Sequence, residues 1–108
     1  MKPIHKPGQM NGTEQEWANR LEILKQQGGI IDYKCEGIKF KLADKTYYTP
    51  DFFVVYPDHF EVHEVKGFMM RDDAAAKFKI AAAMFPHFRW KMVQKKNKKA
   101  PWEVIRDM

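Results

Sequence analysis

Asp51, Glu64 and Lys66 are the residues in this chain whose types and spacing could do chemistry. Pro50-Asp51 precedes Glu64-Val65-Lys66 by little more than one strand and its return. Two carboxylates brought together suit a hard divalent cation, and Mg²⁺ or Mn²⁺ is the cation that oxygen ligands favour. Such a cation polarises a phosphoryl oxygen and acidifies a bound water. An ammonium beside it offsets the charge that develops in phosphodiester hydrolysis, or orients the nucleophile.

The segments around these residues decide whether they meet. Phe60 to Lys66 reads as a strand, so its side chains alternate between faces. Phe60, Val62, Glu64 and Lys66 share one face, and the apolar members mark it as the buried one. Glu61, His63 and Val65 share the other. Charges on a core-facing side are costly unless paired or bound to metal. A turn at Pro57-Asp58 pairs Val55 with Phe60, Phe53 with Val62 and, one step on, Asp51 with Glu64. Residues opposed in this way have Cβ atoms roughly 5 Å apart. Two opposed carboxylates repel, and a divalent cation between them removes the objection.

A helix over Thr13–Gln27, stopped by Gly28-Gly29, supplies a third acid. Glu14, Trp17, Leu21 and Leu24 follow steps of three and four and lie on one face. Glu14 either joins the metal site or sits at a wet edge near the helix N-terminus, where the dipole favours anions. Thr13 and Glu16 have the spacing of a capping box, which accounts for Glu16. Strands are expected over Ile38–Leu42, Tyr47–Tyr56, Phe60–Lys66 and Phe88–Val93, with turns at Ala43-Asp44-Lys45 and at Tyr56 to His59. Gly67 breaks the third strand. A second helix, capped by Asp72 or Asp73, runs to about Phe85 and is apolar over most of its circumference. A short last element spans Trp102–Ile105. The order implies an α+β, mixed α/β layered domain: a central mixed sheet flanked by helices. Residues 1–10 read as a loose lead-in and 94–101 as a basic loop or tail.

At 108 residues the chain is long enough for one domain, and 44 % hydrophobic and 14 % aromatic content fit a globular one. The single cysteine, Cys35, allows no intrachain disulfide and reads as a packing residue, which fits a reducing cytoplasmic compartment. Met1 to Gly12 holds no apolar run of the signal-peptide kind, and no stretch reaches membrane-span length. The net charge of +5, from 19 basic and 14 acidic residues, favours polyanionic partners. Lys95, Lys96, Lys98 and Lys99 form a run that is either a solvated loop or a nucleic-acid contact. Arg71 is a candidate phosphate contact, close to the proposed site; Lys77 and Lys79 on the second helix are phosphate contacts or a solvated face. His59 and His63 are four apart but on a strand, so they do not form the helical zinc pair.

Thr49-Pro50-Asp51 followed by Glu64-Val65-Lys66 resembles the signature of the PD-(D/E)XK nuclease superfamily. The resemblance implies a restriction-endonuclease-like core and an Mg²⁺- or Mn²⁺-dependent hydrolase. Asp51 and Glu64 would be metal ligands, the Val65 carbonyl an extra ligand, Lys66 the group that positions or activates the attacking water, and Glu14 the helix acid. From Thr13 to Phe88 the chain also resembles small phage and prophage proteins of unassigned function. The phrases that carry this are Arg20-Leu21-Glu22, Leu42-Ala43-Asp44, Tyr48-Thr49-Pro50-Asp51-Phe52 and His63-Glu64-Val65-Lys66-Gly67. The layout is similar to Holliday-junction resolvases of the archaeal and phage type. A DNA endonuclease acting on branched DNA as a homodimer, in a bacterial host cell, is the function this implies. Its rivals are a nuclease for flaps, nicks, duplex DNA or RNA, a nucleic-acid-binding module without catalysis, and an interaction scaffold.

Overall fold

The computed structural model describes residues 12–66 and 72–107. Helix α1 spans Gly12–Gln26 and buries Glu14, Trp17, Ala18 and Leu21, the face expected from the 3.6-residue period. It ends as a Schellman motif. Gly28 has φ 83°; its N–H donates to the Lys25 carbonyl at 3.1 Å, and the Gly29 N–H donates to the Leu24 carbonyl at 2.8 Å. Glycine adopts that left-handed backbone without the Cβ penalty other residues carry.

Among the described residues, seven strands and a second helix follow: β1 Asp32–Cys35, β2 Phe40–Ala43, β3 Thr46–Tyr48, β4 Phe52–Val55, β5 Phe60–Lys66, α2 Asp72–Met84, β6 Arg89–Gln94 and β7 Glu103–Asp107. The main sheet has the order β1-β4-β5-β6-β7, and β2 and β3 form a separate hairpin. β5 and β6 are parallel, with α2 as the crossover between them; the other neighbours in the sheet are antiparallel. This is a mixed α+β layered fold. Among the described residues no helix is long and apolar enough to cross a membrane.

The sheet divides the core in two. Trp17, Ala18 and Leu21 of α1 pack with Ile30, Phe52, Val54, Val65 and Val93. Phe78, Ala81 and Ala82 of α2 pack with Val62, Trp90 and Met92, and the small hairpin adds Phe40 and Tyr48. Burying Leu21 and Phe78 fully fixes each helix; trimming such a side chain to Ala typically costs about 2–5 kcal/mol. Ile80 and Met84 lie on the outer side of α2 and stay exposed, so that helix is not buried all round.

The structure departs from the sequence expectations at three places. The run Tyr47–Tyr56 is two strands in different sheets, separated at Thr49-Pro50-Asp51, because Pro50 has no N–H to continue a ladder. β1, which the sequence pattern did not reveal, pairs with β4 from Asp32↔Val55 to Cys35↔Phe52. β5 is buried on both faces from Glu61 to Lys66, and Phe60 is 46 % exposed. A central strand flanked by β4 and β6 and covered by helices on both sides has no wet face to offer. Of the two readings of the basic run, loop or tail, the structure shows the loop: it connects β6 to β7, which extends the sheet through the pairs Lys91↔Asp107 and Met92↔Arg106. The lead-in at 1–10, Gly67, Arg71 and the capping side chains of Asp72 and Asp73 lie outside the described residues.

Candidate active site

The β4–β5 hairpin has the expected register, with Val55 opposite Phe60 and Phe53 opposite Val62. The ladder ends at Phe52 opposite His63, so Asp51 stands one step beyond it, at the level of Glu64. Asp51 is 1 % exposed, and Glu64 and Lys66 are each 6 % exposed. The Val65 N–H donates to Asp51 Oδ2 at 2.7 Å. The carboxylate before β4 is thereby locked to the backbone between Glu64 and Lys66.

Glu64 is held from the other side. Tyr48, at the end of β3, donates its O–H to Glu64 Oε1 at 2.5 Å. Burial, then the charges and hydrogen bond of Glu64 and Asp51 nearby, push the phenol far above its usual range, so it remains a donor. The Val65 and Tyr48 donors orient the Asp51 and Glu64 carboxylates, whose oxygens are hard ligands. This donor set fits a hard cation.

Lys66 opens onto a cleft of about 490 Å³ between α2 and the far end of the sheet. Its other lining residues are Ala75, Ala76, Lys79, Met92, Ile105 and Arg106. Glu14 comes from the α1 side. One ligand atom each from Glu14, Cys35 and Glu36 lie within 4.8 Å of one another. Glu36 has φ 51°, uncommon for a non-glycine residue. Its N–H donates to the Asp51 carbonyl at 2.9 Å, so the Glu14 group adjoins the Asp51 position through the backbone.

No family model, curated protein or solved structure matches this chain.

The basic residues separate into distinct environments. Lys95 is buried, donating to Glu16 Oε1 at 2.6 Å and to the Lys98 carbonyl at 3.1 Å. This corrects the capping-box reading of Glu16. Thr13 already lies inside α1, and the Glu16 carboxylate binds an ammonium 79 residues away. A charge-assisted hydrogen bond is stronger than the neutral one to a backbone N–H. Lys98 and Lys99 are exposed, as is Lys96, which stands 3.8 Å from Glu103. Lys77 donates to the Tyr47 carbonyl at 3.2 Å, tying α2 to the small hairpin.

The opposite face of β5 carries a second polar network. Trp17 Nε1–H donates to His63 Nδ1 at 3.1 Å, and His63 Nε2 meets Glu61 Oε1 at 2.9 Å. Because indole only donates, His63 is the neutral tautomer with its proton on Nε2, and burial lowers its pKa accordingly. His59 lies between Asp58 and Glu61, 2.6 Å from each, and those two hydrogen bonds raise its pKa. Both imidazoles thus serve the Glu61 carboxylate.

Sequence reasoning missed Tyr48, Cys35, Glu36 and Arg106. Tyr48 stands three residues before Asp51 in Tyr48-Thr49-Pro50-Asp51, and that phrase was its only signal. Glu36-Gly37 reads as an acid at a turn. Nothing near Arg106 in sequence connects it to Lys66.

Proposed function

We propose that this chain is a metal-dependent nuclease that hydrolyses phosphodiester bonds in DNA. The observation that carries the reading is the buried Asp51 carboxylate bonded to the Val65 N–H, between Glu64 and Lys66. The Val65 N–H and the Tyr48 hydroxyl present two oriented carboxylates at neighbouring strand positions, with Lys66 two residues on, and that donor set suits a hard divalent cation.

In this reading Asp51 and Glu64 hold Mg²⁺ or Mn²⁺, with the Val65 carbonyl as an additional ligand. The bound cation would supply Lewis acidity toward the phosphoryl oxygen and a more acidic water. Tyr48 and the Val65 N–H fix the two carboxylates, so little reorganisation is needed on binding. Lys66 donates to the attacking water or to the charge building on phosphorus-bound oxygen. Glu14, set with Cys35 and Glu36, is the supporting acid. Branched DNA is the substrate class that the sequence resemblance implies, with Lys77, Lys96, Lys98 and Lys99 as candidate backbone contacts.

A cleavage panel tests this: linear, nicked, flapped and four-way DNA, and RNA, with Mg²⁺, Mn²⁺ or excess EDTA. Cleavage is expected with either cation, none in EDTA, and none by Asp51→Asn with its circular dichroism unchanged. Full activity of Asp51→Asn, or in EDTA, rejects the proposal.

A further inference from the structure

We propose that the cleft beside Lys66 is a subsite for one unpaired nucleotide of the substrate strand, its phosphate held by Lys79 and Arg106 and its base or sugar against Met92 and Ile105. The identity of the strand rests on the nuclease reading above; the occupancy of the cleft does not.

Three observations converge on this occupant. The cleft measures about 490 Å³, inside the range of roughly 300–1,000 Å³ typical of small-ligand sites. Its lining divides by chemistry: Lys66, Lys79 and Arg106 are cationic, and Ala75, Ala76, Met92 and Ile105 are apolar. None of the described lining residues is acidic. An anionic group joined to a flat or apolar body matches that division, and a nucleotide has both parts.

The elements explain why the space is there. Ala75 and Ala76 put only methyl groups where α2 approaches the sheet, so the helix leaves the cleft open. Lys79 follows them by four and three residues and lies on the same side of the helix. Arg106 is placed by strand pairing, directly opposite Met92, whose side chain is fully buried. The guanidinium therefore projects from a sheet position, and its planar fork suits two oxygens of one phosphate. A base stacked inside duplex DNA cannot enter a cleft, so the occupant is an unpaired nucleotide, as at a flap, an end or an opened branch point. Lys66 lines the same cleft, which puts this nucleotide next to the phosphodiester to be cut.

The test uses the metal-free protein, where cleavage plays no part. Thymidine 5′-monophosphate, thymidine and inorganic phosphate are titrated separately, and backbone amide shifts are followed by NMR. The monophosphate is expected to shift Ala75, Ala76, Met92 and Ile105 and to bind more tightly than either fragment. Lys79→Gln/Arg106→Gln, two exposed positions whose change leaves the core intact, should weaken it about tenfold or more, since each removes a charge-assisted hydrogen bond. Absence of shifts at these residues, equal affinity in the double variant, or inorganic phosphate binding as tightly as the nucleotide overturns the subsite. If the nucleotide binds as expected while no metal supports cleavage, the nuclease reading fails and the nucleotide site stands.

Discussion

Asp51, Glu64 and Lys66 meet at one end of the β4–β5 hairpin, yet each has different surroundings. Asp51 is fixed by the Val65 N–H, Glu64 by the Tyr48 hydroxyl, and Lys66 lines the cleft under α2. The roles can be separated by substitution. Lys66→Ala should abolish turnover and leave Mn²⁺ affinity within about threefold of wild type by calorimetric titration, because an ammonium is not a ligand. Loss of Mn²⁺ binding would place Lys66 in support of the ligands instead. Glu14→Gln should slow cleavage far more than Glu16→Gln, since Glu14 is buried at the Asp51 end of α1 whereas the Glu16 carboxylate pairs with Lys95. Glu16 is 50 % exposed, so its loss should cost at most about 1 kcal/mol in a urea melt. Equal cleavage defects would reject the distinction.

At the level of elements, the Glu61 network joins β5, the β4–β5 turn and β6. Burial pushes the Glu61 carboxyl up, but hydrogen bonds from His63 and His59 and the Lys91 ammonium outweigh it and hold it at about 2, against an ordinary 4.5. Between those values the unfolded chain binds the extra proton. The stabilisation is therefore complete above pH 4.5 and is lost as pH falls toward 2. His63, lowered by burial, also loses stability in acid, with Asp107 and Lys91 acting on it in opposite senses. His59, raised by its carboxylate partners, contributes with the opposite sign and loses its part as pH rises. Stability from urea melts should fall further between pH 6 and pH 3 for wild type than for Glu61→Gln, by on the order of 1–2 kcal/mol. Equal falls would mean that Glu61 is not the acid-sensitive group. The β6–β7 connection carries the other element-scale test. Truncation after Val93 would remove β7 and the Lys95–Glu16 pair, so substitution is the cleaner change. Lys96→Gln/Lys98→Gln/Lys99→Gln should reduce the log–log salt slope of junction binding by up to about 2.7, at roughly 0.9 for each phosphate no longer neutralised. An unchanged slope identifies a solvated run.

Across the whole molecule, the +5 charge and the single proposed site per chain set the terms for the substrate. A four-way junction must be cut twice, and a two-fold pair of chains would present equivalent sites to its two strands. Light scattering should give the mass of two chains on one junction when Asp51→Asn is used to prevent turnover. One chain per junction, with linear duplex cut as fast as a junction by wild type, would remove the resolvase reading and leave the hydrolytic chemistry in place.

Local rules were enough to read much of this protein. The period of α1 separated Glu14 from Glu16, and alternation with a four-residue turn fixed Phe53 opposite Val62 and brought Asp51 level with Glu64. These relations depend on neighbours within a helix or a hairpin, so the order of residues determines them. Other features arise only when distant segments pack. β5 is buried on both faces because β6, α1 and α2 arrive around it, whereas its own alternation suggested a single buried face. Lys95 takes Glu16 from its expected cap, Tyr48 leaves a continuous-looking strand to reach Glu64, and Arg106 joins Lys66 across the sheet. Each of these partners is separated by a crossover or a second sheet, and no pattern within a dozen residues encodes such a meeting. The sequence by itself nominated the groups proposed for the chemistry and their register; tertiary packing decided what holds Asp51 and Glu64 and which cleft Lys66 lines.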